Sequence, residues 1–171
     1  MAGSAREERA WIREAQEGSA SAIEALFRAH WPRAHRAAYL VVHDAAAAED
    51  IAQEAFLAAI RRLDRFDRTR PFGPWLHRIV VNRAIDWARA RQLRHEAGLV
   101  EHAAAEHAAE LSDETLAGLA ALTPEHRAVI VLRHILGYDP GEIAELLDLP
   151  RGTVNSRLRR GLDTLEERLR S

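Results

Sequence analysis

Cysteine and lysine are both missing from this 171-residue chain. Without cysteine there is no disulfide scaffold, no thiolate zinc finger and no thiol nucleophile. Without lysine all 24 basic residues are arginine, a bias that a GC-rich genome would produce and that carries no functional weight. Long apolar runs are missing too. A run such as residues 37–42, which no other exceeds, falls far short of the roughly 20 residues that cross a bilayer. The opening MAGSAREERAWIREAQ alternates charge around no apolar stretch, so no secretory signal is expected and the protein is expected to be soluble and cytoplasmic. Valine, isoleucine and threonine are sparse, whereas alanine occurs 33 times and leucine 20 times. Alanine, leucine, arginine and glutamate all favour helix, so the expected class is all-α. The length suits one ordinary domain or two small ones.

A net charge of −2 hides strong segregation. Residues 1–94 carry 16 Arg against 12 acids, and residues 115–171 carry 8 of each. Between them, residues 95–114 hold no Arg and six acids. This stretch, HEAGLVEHAAAEHAAELSDE, is alanine-rich and short of large apolar side chains. It reads as an acidic linker, so the expected division is a helical body at 1–94, a linker at 95–112 and a second helical body at 113–171. Because the linker has little to dock with, the two bodies are expected to move independently unless a partner clamps them. His102 and His107 within it are five apart, a poor helical spacing for two metal ligands, and no metal site or cofactor is expected.

In the first body, Ser21 with Glu24 three residues on suggests a capping box. Ile23, Leu26, Phe27, Trp31, Ala34, Ala38 and Val41 then keep helical spacing to about His43, with Pro32 expected to kink or split the helix. Asp44 can cap the next helix, whose apolar side is Ala48, Ile51, Ala52, Ala55, Phe56, Ala59 and Leu63. A mostly polar stripe of Asp50, Gln53, Glu54 and Leu57 runs along another face. The loop LDRFDRTRPFGPW follows, interleaving Arg65, Arg68 and Arg70 with Phe66, Phe72 and Trp75. That mixture suits single-stranded nucleic acid, because arginine meets phosphate while rings stack on unpaired bases. The same aromatics could equally serve the core beside a loop. In the helix after Pro74, Arg78, Asn82 and Arg89 fall within about 40° of one another, with Asp86 at the edge.

The second body has sharper punctuation. Thr123-Pro124-Glu125 starts a helix that ends at Gly137. Asp139-Pro140-Gly141-Glu142 starts a short one, and a turn at 148–150 leads into a longer helix from about Arg151 to Arg168. Small Ala144, Asp148 at a turn position needing positive φ, and apolar Val154 are the spacing of a helix-turn-helix. On the last helix Val154, Leu158, Leu162, Leu165 and Leu169 are expected to form the core stripe. Arg151, Thr153, Ser156, Arg157 and Arg160 point elsewhere, and the first ten residues carry four Arg, including Arg159, and no acid.

Three stretches, AEDIAQEAFLAAIRRL (48–63), RPFGPWLHRIVVNRAIDWAR (70–89) and residues 122–169, resemble in order and spacing an RNA polymerase sigma factor of the extracytoplasmic-function (ECF) subfamily. The resemblance implies that the first body binds core polymerase at the β′ clamp helices, through Asp50, Gln53, Glu54 and Leu57. It implies that the 64–74 loop (Arg65, Phe66, Arg68, Phe72) with Trp75, Arg78, Asn82, Arg83, Asp86 and Arg89 melts promoter DNA and captures a flipped minus-ten base. It implies that Arg151, Thr153, Asn155, Ser156, Arg157, Arg159 and Arg160 read a minus-thirty-five element while the second body rests on the β flap. An anti-sigma factor is a further implied partner. Asn155 departs from the family, which often has lysine there.

Two other functions fit part of the sequence. A stand-alone helix-turn-helix transcriptional regulator would bind duplex DNA without polymerase, but leaves the 64–74 loop and the 50–57 stripe without a purpose. A helical enzyme is disfavoured, since the scattered histidines and carboxylates form no HExxH-type pair. The expectation is a protein that binds and does not catalyse.

Overall fold

The computed structural model describes residues 5–99 and 111–170, and every regular element among them is helical. The first body contains α1 (Ala5–Gln16), α2 (Ala20–Val42), α3 (Ala45–Arg61) and α4 (Phe72–Glu96), with a single 3-10 turn at Leu63–Arg65 after α3. The second contains α5 (Asp113–Ala120), α6 (Pro124–Ile130) running into a π-helical turn at Val131–Ile135, α7 (Pro140–Leu147) and α8 (Arg151–Leu169).

Helix α2 is capped two residues earlier than expected, at Ser19. Gly18 at φ 94° turns the chain out of α1, and Ser19 accepts from the Ala22 N–H. Pro32 does not split α2. Leu26 on one side of it and Ala34 and Ala37 to Val42 on the other are buried in the same core, and that packing outweighs the roughly 3 kcal/mol a mid-helix proline costs. His43 in the left-handed region ends α2, and Asp44 caps α3 by accepting from the Ala47 N–H at 2.9 Å. The apolar side of α3 is buried as its spacing predicts.

In the second body, Thr123 caps α6 and Asp139 with Glu142 forms a full capping box on α7. Asp148 takes the left-handed conformation, φ 53°, at the turn into α8, and Val154 is buried. The core stripe of α8 differs from the expected one. Val154 and Leu158 continue through Gly161, which sits against Ile130, and Leu165, which sits against Gly118. Leu162 is 44% exposed because it lies about 100° round the helix from Gly161, and Leu169, at the far end of α8, is 50% exposed. Of the expected linker, residues 100–110 lie outside the described residues. Helix α4 extends to Glu96, into its expected start, and Ser112 caps α5 at its end.

The two bodies are in contact with one another. Helices α2 and α4 pack against α6, α7 and the π-helical turn. Arg127, 9% exposed, donates to the carbonyls of Leu119, Ala120 and Leu122 in its own body and of Val41 in the other. Arg33 donates to the Leu136 carbonyl at 2.7 Å, and the Tyr138 hydroxyl lies 2.6 Å from His77 Nδ1. The docking surface is made by helix faces rather than by the linker, which is why linker composition did not disclose it.

Candidate nucleic-acid interface

Helix α8 presents the first surface. Burying Val154 and Leu158 fixes its rotation and leaves Arg151, Asn155, Arg159 and Arg160 exposed. Thr153, Ser156 and Arg157 are half-buried at the edge of that face, and the Ser156 hydroxyl donates to the Thr153 carbonyl. Pro150 offers the start of α8 no side-chain cap, so the positive end of the helix dipole and Arg151 face outward together, an arrangement suited to phosphate. No carboxylate interrupts residues 151–160.

The second surface is the 3-10 turn, the following loop and the exposed side of α4. Arg65, Arg68, Arg70, Arg78, Arg83, Asp86 and Arg89 are exposed and Asn82 is half-buried, its amide donating to the Arg78 carbonyl. The aromatics behave differently from the arginines. Phe66 and Phe72 are buried and Trp75 is half-buried, in one cluster with centroids 4.6 to 5.9 Å apart. Base stacking by Phe66 or Phe72 is therefore corrected: their rings are already occupied by each other, and they hold the loop from beneath. The loop is also closed on itself, with Asp67 accepting from the Thr69 N–H at 2.9 Å and hydroxyl at 2.7 Å. Those bonds hold the Asp67 carboxyl below its usual range. A groove of about 1050 Å³ runs from Arg61, Arg65, Arg70 and Arg78 across to Tyr138, Glu142 and Glu145 of the other body.

The third surface is the outer face of α3. Asp50, Gln53, Glu54 and Leu57 are all exposed, Leu57 by 55%. Glu54 pairs with Arg83 at 2.9 Å, tying this stripe to the α4 surface. Across the bodies, Glu125 accepts from Arg89 and lies in the field of Arg157, so one carboxylate faces an arginine of each basic surface. Burial is the largest single influence on the Glu125 carboxyl and pushes it up, but these contacts and a backbone hydrogen bond together hold it below its usual range. No group of metal-ligating side chains gathers among the described residues.

Residues 26–94 match the Sigma-70 region 2 family model and residues 112–165 match that of Sigma-70, region 4. The chain is 31% identical to the ECF RNA polymerase sigma factor SigW of Bacillus subtilis, over 93% of this chain and 95% of that protein. The chain belongs to the ECF sigma factors. It is also 32% identical to the RNA polymerase sigma factor CarQ of Myxococcus xanthus, over 90% of this chain and 92% of that one. A solved structure of CnrH in complex with the cytosolic domain of CnrY superposes with a TM-score of 0.71 at 28% identity, over 95% of this chain and 96% of that one. As an ECF sigma factor the protein associates with core RNA polymerase and directs promoter-specific transcription initiation. The polar stripe and the α4 surface lie within region 2, and the helix-turn-helix lies within region 4. Sequence reasoning did not find α1, α5 or the cross-body contacts. Only the arginine at 127, an unexplained cation within an apolar helix, could have signalled the contacts.

Proposed function

We infer that this ECF sigma factor divides promoter recognition between its two arginine surfaces. Helix α8, through Arg151, Thr153, Asn155, Ser156, Arg157, Arg159 and Arg160, enters the major groove of the duplex minus-thirty-five element. The loop at 64–74 and α4, through Arg65, Arg68, Trp75, Arg78, Asn82, Arg83, Asp86 and Arg89, act on the minus-ten element as it becomes single-stranded. Asp50, Gln53, Glu54 and Leu57 bind the β′ clamp helices, and the second body rests on the β flap. The protein supplies binding energy and no catalytic group, works in the cytoplasm, and is held inactive by an anti-sigma factor. In its favour, the superposing CnrH structure is a complex with the cytosolic domain of CnrY, and no helix among the described residues is long and apolar enough to cross a membrane.

The observation that carries this reading is the separation of chemistry. An acid-free helix-turn-helix face lies on one body, and a loop with projecting arginines over a fixed aromatic base lies on the other. Gel-shift and permanganate footprinting with core polymerase test it. Arg157→Ala should weaken binding to the upstream duplex by about 1–3 kcal/mol if it meets a base edge, and leave opening intact once the complex forms. Asn82→Ala should spare the closed complex and slow opening, and the defect should persist on a template already mismatched across the minus-ten region. Asp50→Arg should fold normally yet bind polymerase more weakly. The reading fails if the protein alone shifts duplex DNA as well as the holoenzyme does, or if Arg157→Ala blocks opening on every template while Asn82→Ala behaves as wild type.

A further inference from the structure

Helix α1 precedes the matched region 2, which begins at residue 26, and none of the roles above employs it. Two of its polar side chains nevertheless reach the loop surface. Gln16, half-buried, directs its amide nitrogen at the Leu63 carbonyl, 2.8 Å, and the Phe66 carbonyl, 3.1 Å. An amide NH2 has two hydrogens, one for each carbonyl. The two bonds bracket the 3-10 turn where the chain leaves α3 for the loop. Glu8 lies 2.5 Å from His30 Nε2, and its carboxylate is also stabilised by the backbone of Phe72, the first residue of α4. The His30 ring stands 5.0 Å from that of Phe72. One helix thus touches the start of the loop and its end, while Arg65, Arg68 and Arg70 project from the segment between.

We propose that Gln16 and Glu8 are positioning residues for DNA opening, through which α1 fixes both ends of the 64–74 loop before the single strand arrives. The proposal rests on the reading of that loop as the element that meets melted DNA. Its physical basis is conformational entropy. A loop free to move would have to be ordered residue by residue when it captures the strand, and that ordering opposes capture. A loop held at both ends presents its arginines already in place.

The test uses holoenzyme assembled with the full chain. Gln16→Met keeps the length of the side chain and removes its donors. It should slow opening of a duplex promoter roughly tenfold, the equivalent of about one lost hydrogen-bonding group. Affinity for an unpaired minus-ten oligonucleotide should fall by a similar factor, with affinities for core polymerase and for upstream duplex unchanged. Gln16→Lys, which returns N–H donors to the two carbonyls, should recover most of the rate; a merely structural side chain would not be rescued in this way. If Gln16→Met fails to fold, Glu8→Met, which removes both acceptor oxygens, carries the same test at the other end of the loop. Wild-type opening in the variant, or a loss fully accounted for by weaker polymerase binding, overturns the proposal. Arg68→Ala separates the two levels. If it slows opening and Gln16→Met does not, only the positioning role falls; if Arg68→Ala opens normally, the reading of the loop falls.

Discussion

Replacing Arg127 with methionine keeps most of the buried volume of the side chain and removes every donor it has. Four carbonyls then lose a partner: Leu119, Ala120 and Leu122 around the end of α5, and Val41 in the last turn of α2. These lie at or near helix C-termini, where carbonyls lack intrahelical partners and a cation is favourable. A buried acceptor stripped of its donor costs about 1–3 kcal/mol. The upper end does not apply to all four, since the Leu119 carbonyl also accepts from the Leu122 N–H at 3.1 Å. Removing a buried charge also returns some free energy, because burial already lowers the Arg127 pKa to about 10, still well above neutral pH. The expected net loss is about 3 kcal/mol, or roughly 10 °C in Tm for a chain of this size. Arg127→Lys, with one nitrogen to place among four carbonyls, should fall between wild type and Arg127→Met. Urea unfolding followed by circular dichroism gives both values. A loss below about 1 kcal/mol, with the two variants indistinguishable, would refute the claim that this guanidinium joins the bodies.

Acid should weaken the fold. Burial lowers both His43 and His77 to about 4, so both are neutral when folded, whereas the unfolded chain takes up protons near 6.5. The contribution of these two histidines should be complete above about pH 6.5, decline as pH falls towards 4 by up to about 3 kcal/mol for each group, and level off below that, where the lowered carboxylates Glu8 and Glu125 begin to cost stability in turn; a His77→Asn variant that loses as much as wild type between pH 7 and 5 would contradict this. Glu125→Gln removes the carboxylate that faces Arg89 and Arg157, and holoenzyme carrying it should bind promoter DNA about 2–5-fold more tightly in an anisotropy titration, the scale of a partly exposed ion pair. Unchanged or weaker binding would show that neither arginine is engaged by that carboxylate in solution.

Much of the fold was legible because local signals agreed with one another. Asp44, Thr123 and Asp139 each combined a capping side chain with a following apolar period, and each starts a helix where expected. Asp148 was recognisable because few residues tolerate a left-handed turn. Ser21 misled because Ser19 and Ser21 are both competent caps, and the choice was made by Gly18, whose positive φ sets where the chain can restart. Leu162 misled because steps of three and of four are both helical, and only the glycine contacts at 118 and 161 show which row faces inward. Phe66 and Phe72 were open to two readings, since an aromatic beside arginines looks alike whether it awaits a base or fills a core. The contact between the bodies was not legible, because two of its bonds end on backbone carbonyls that any residue supplies and the other two join side chains far apart in sequence.

Bonds that end on the main chain shape how the sequence can vary. Two of the bonds between the bodies run from an arginine side chain to a main-chain oxygen, Arg127 to Val41 and Arg33 to Leu136. A carbonyl is supplied by whichever amino acid stands at the position. As far as these bonds are concerned, positions 41 and 136 are free to drift among side chains that keep the helix and fill the space. The arginines are not, because no other side chain carries five N–H donors in a planar fork. These two bonds are asymmetric under mutation: the two arginines hold their identity, and the acceptors cannot be deleted by any single substitution that leaves the backbone in place.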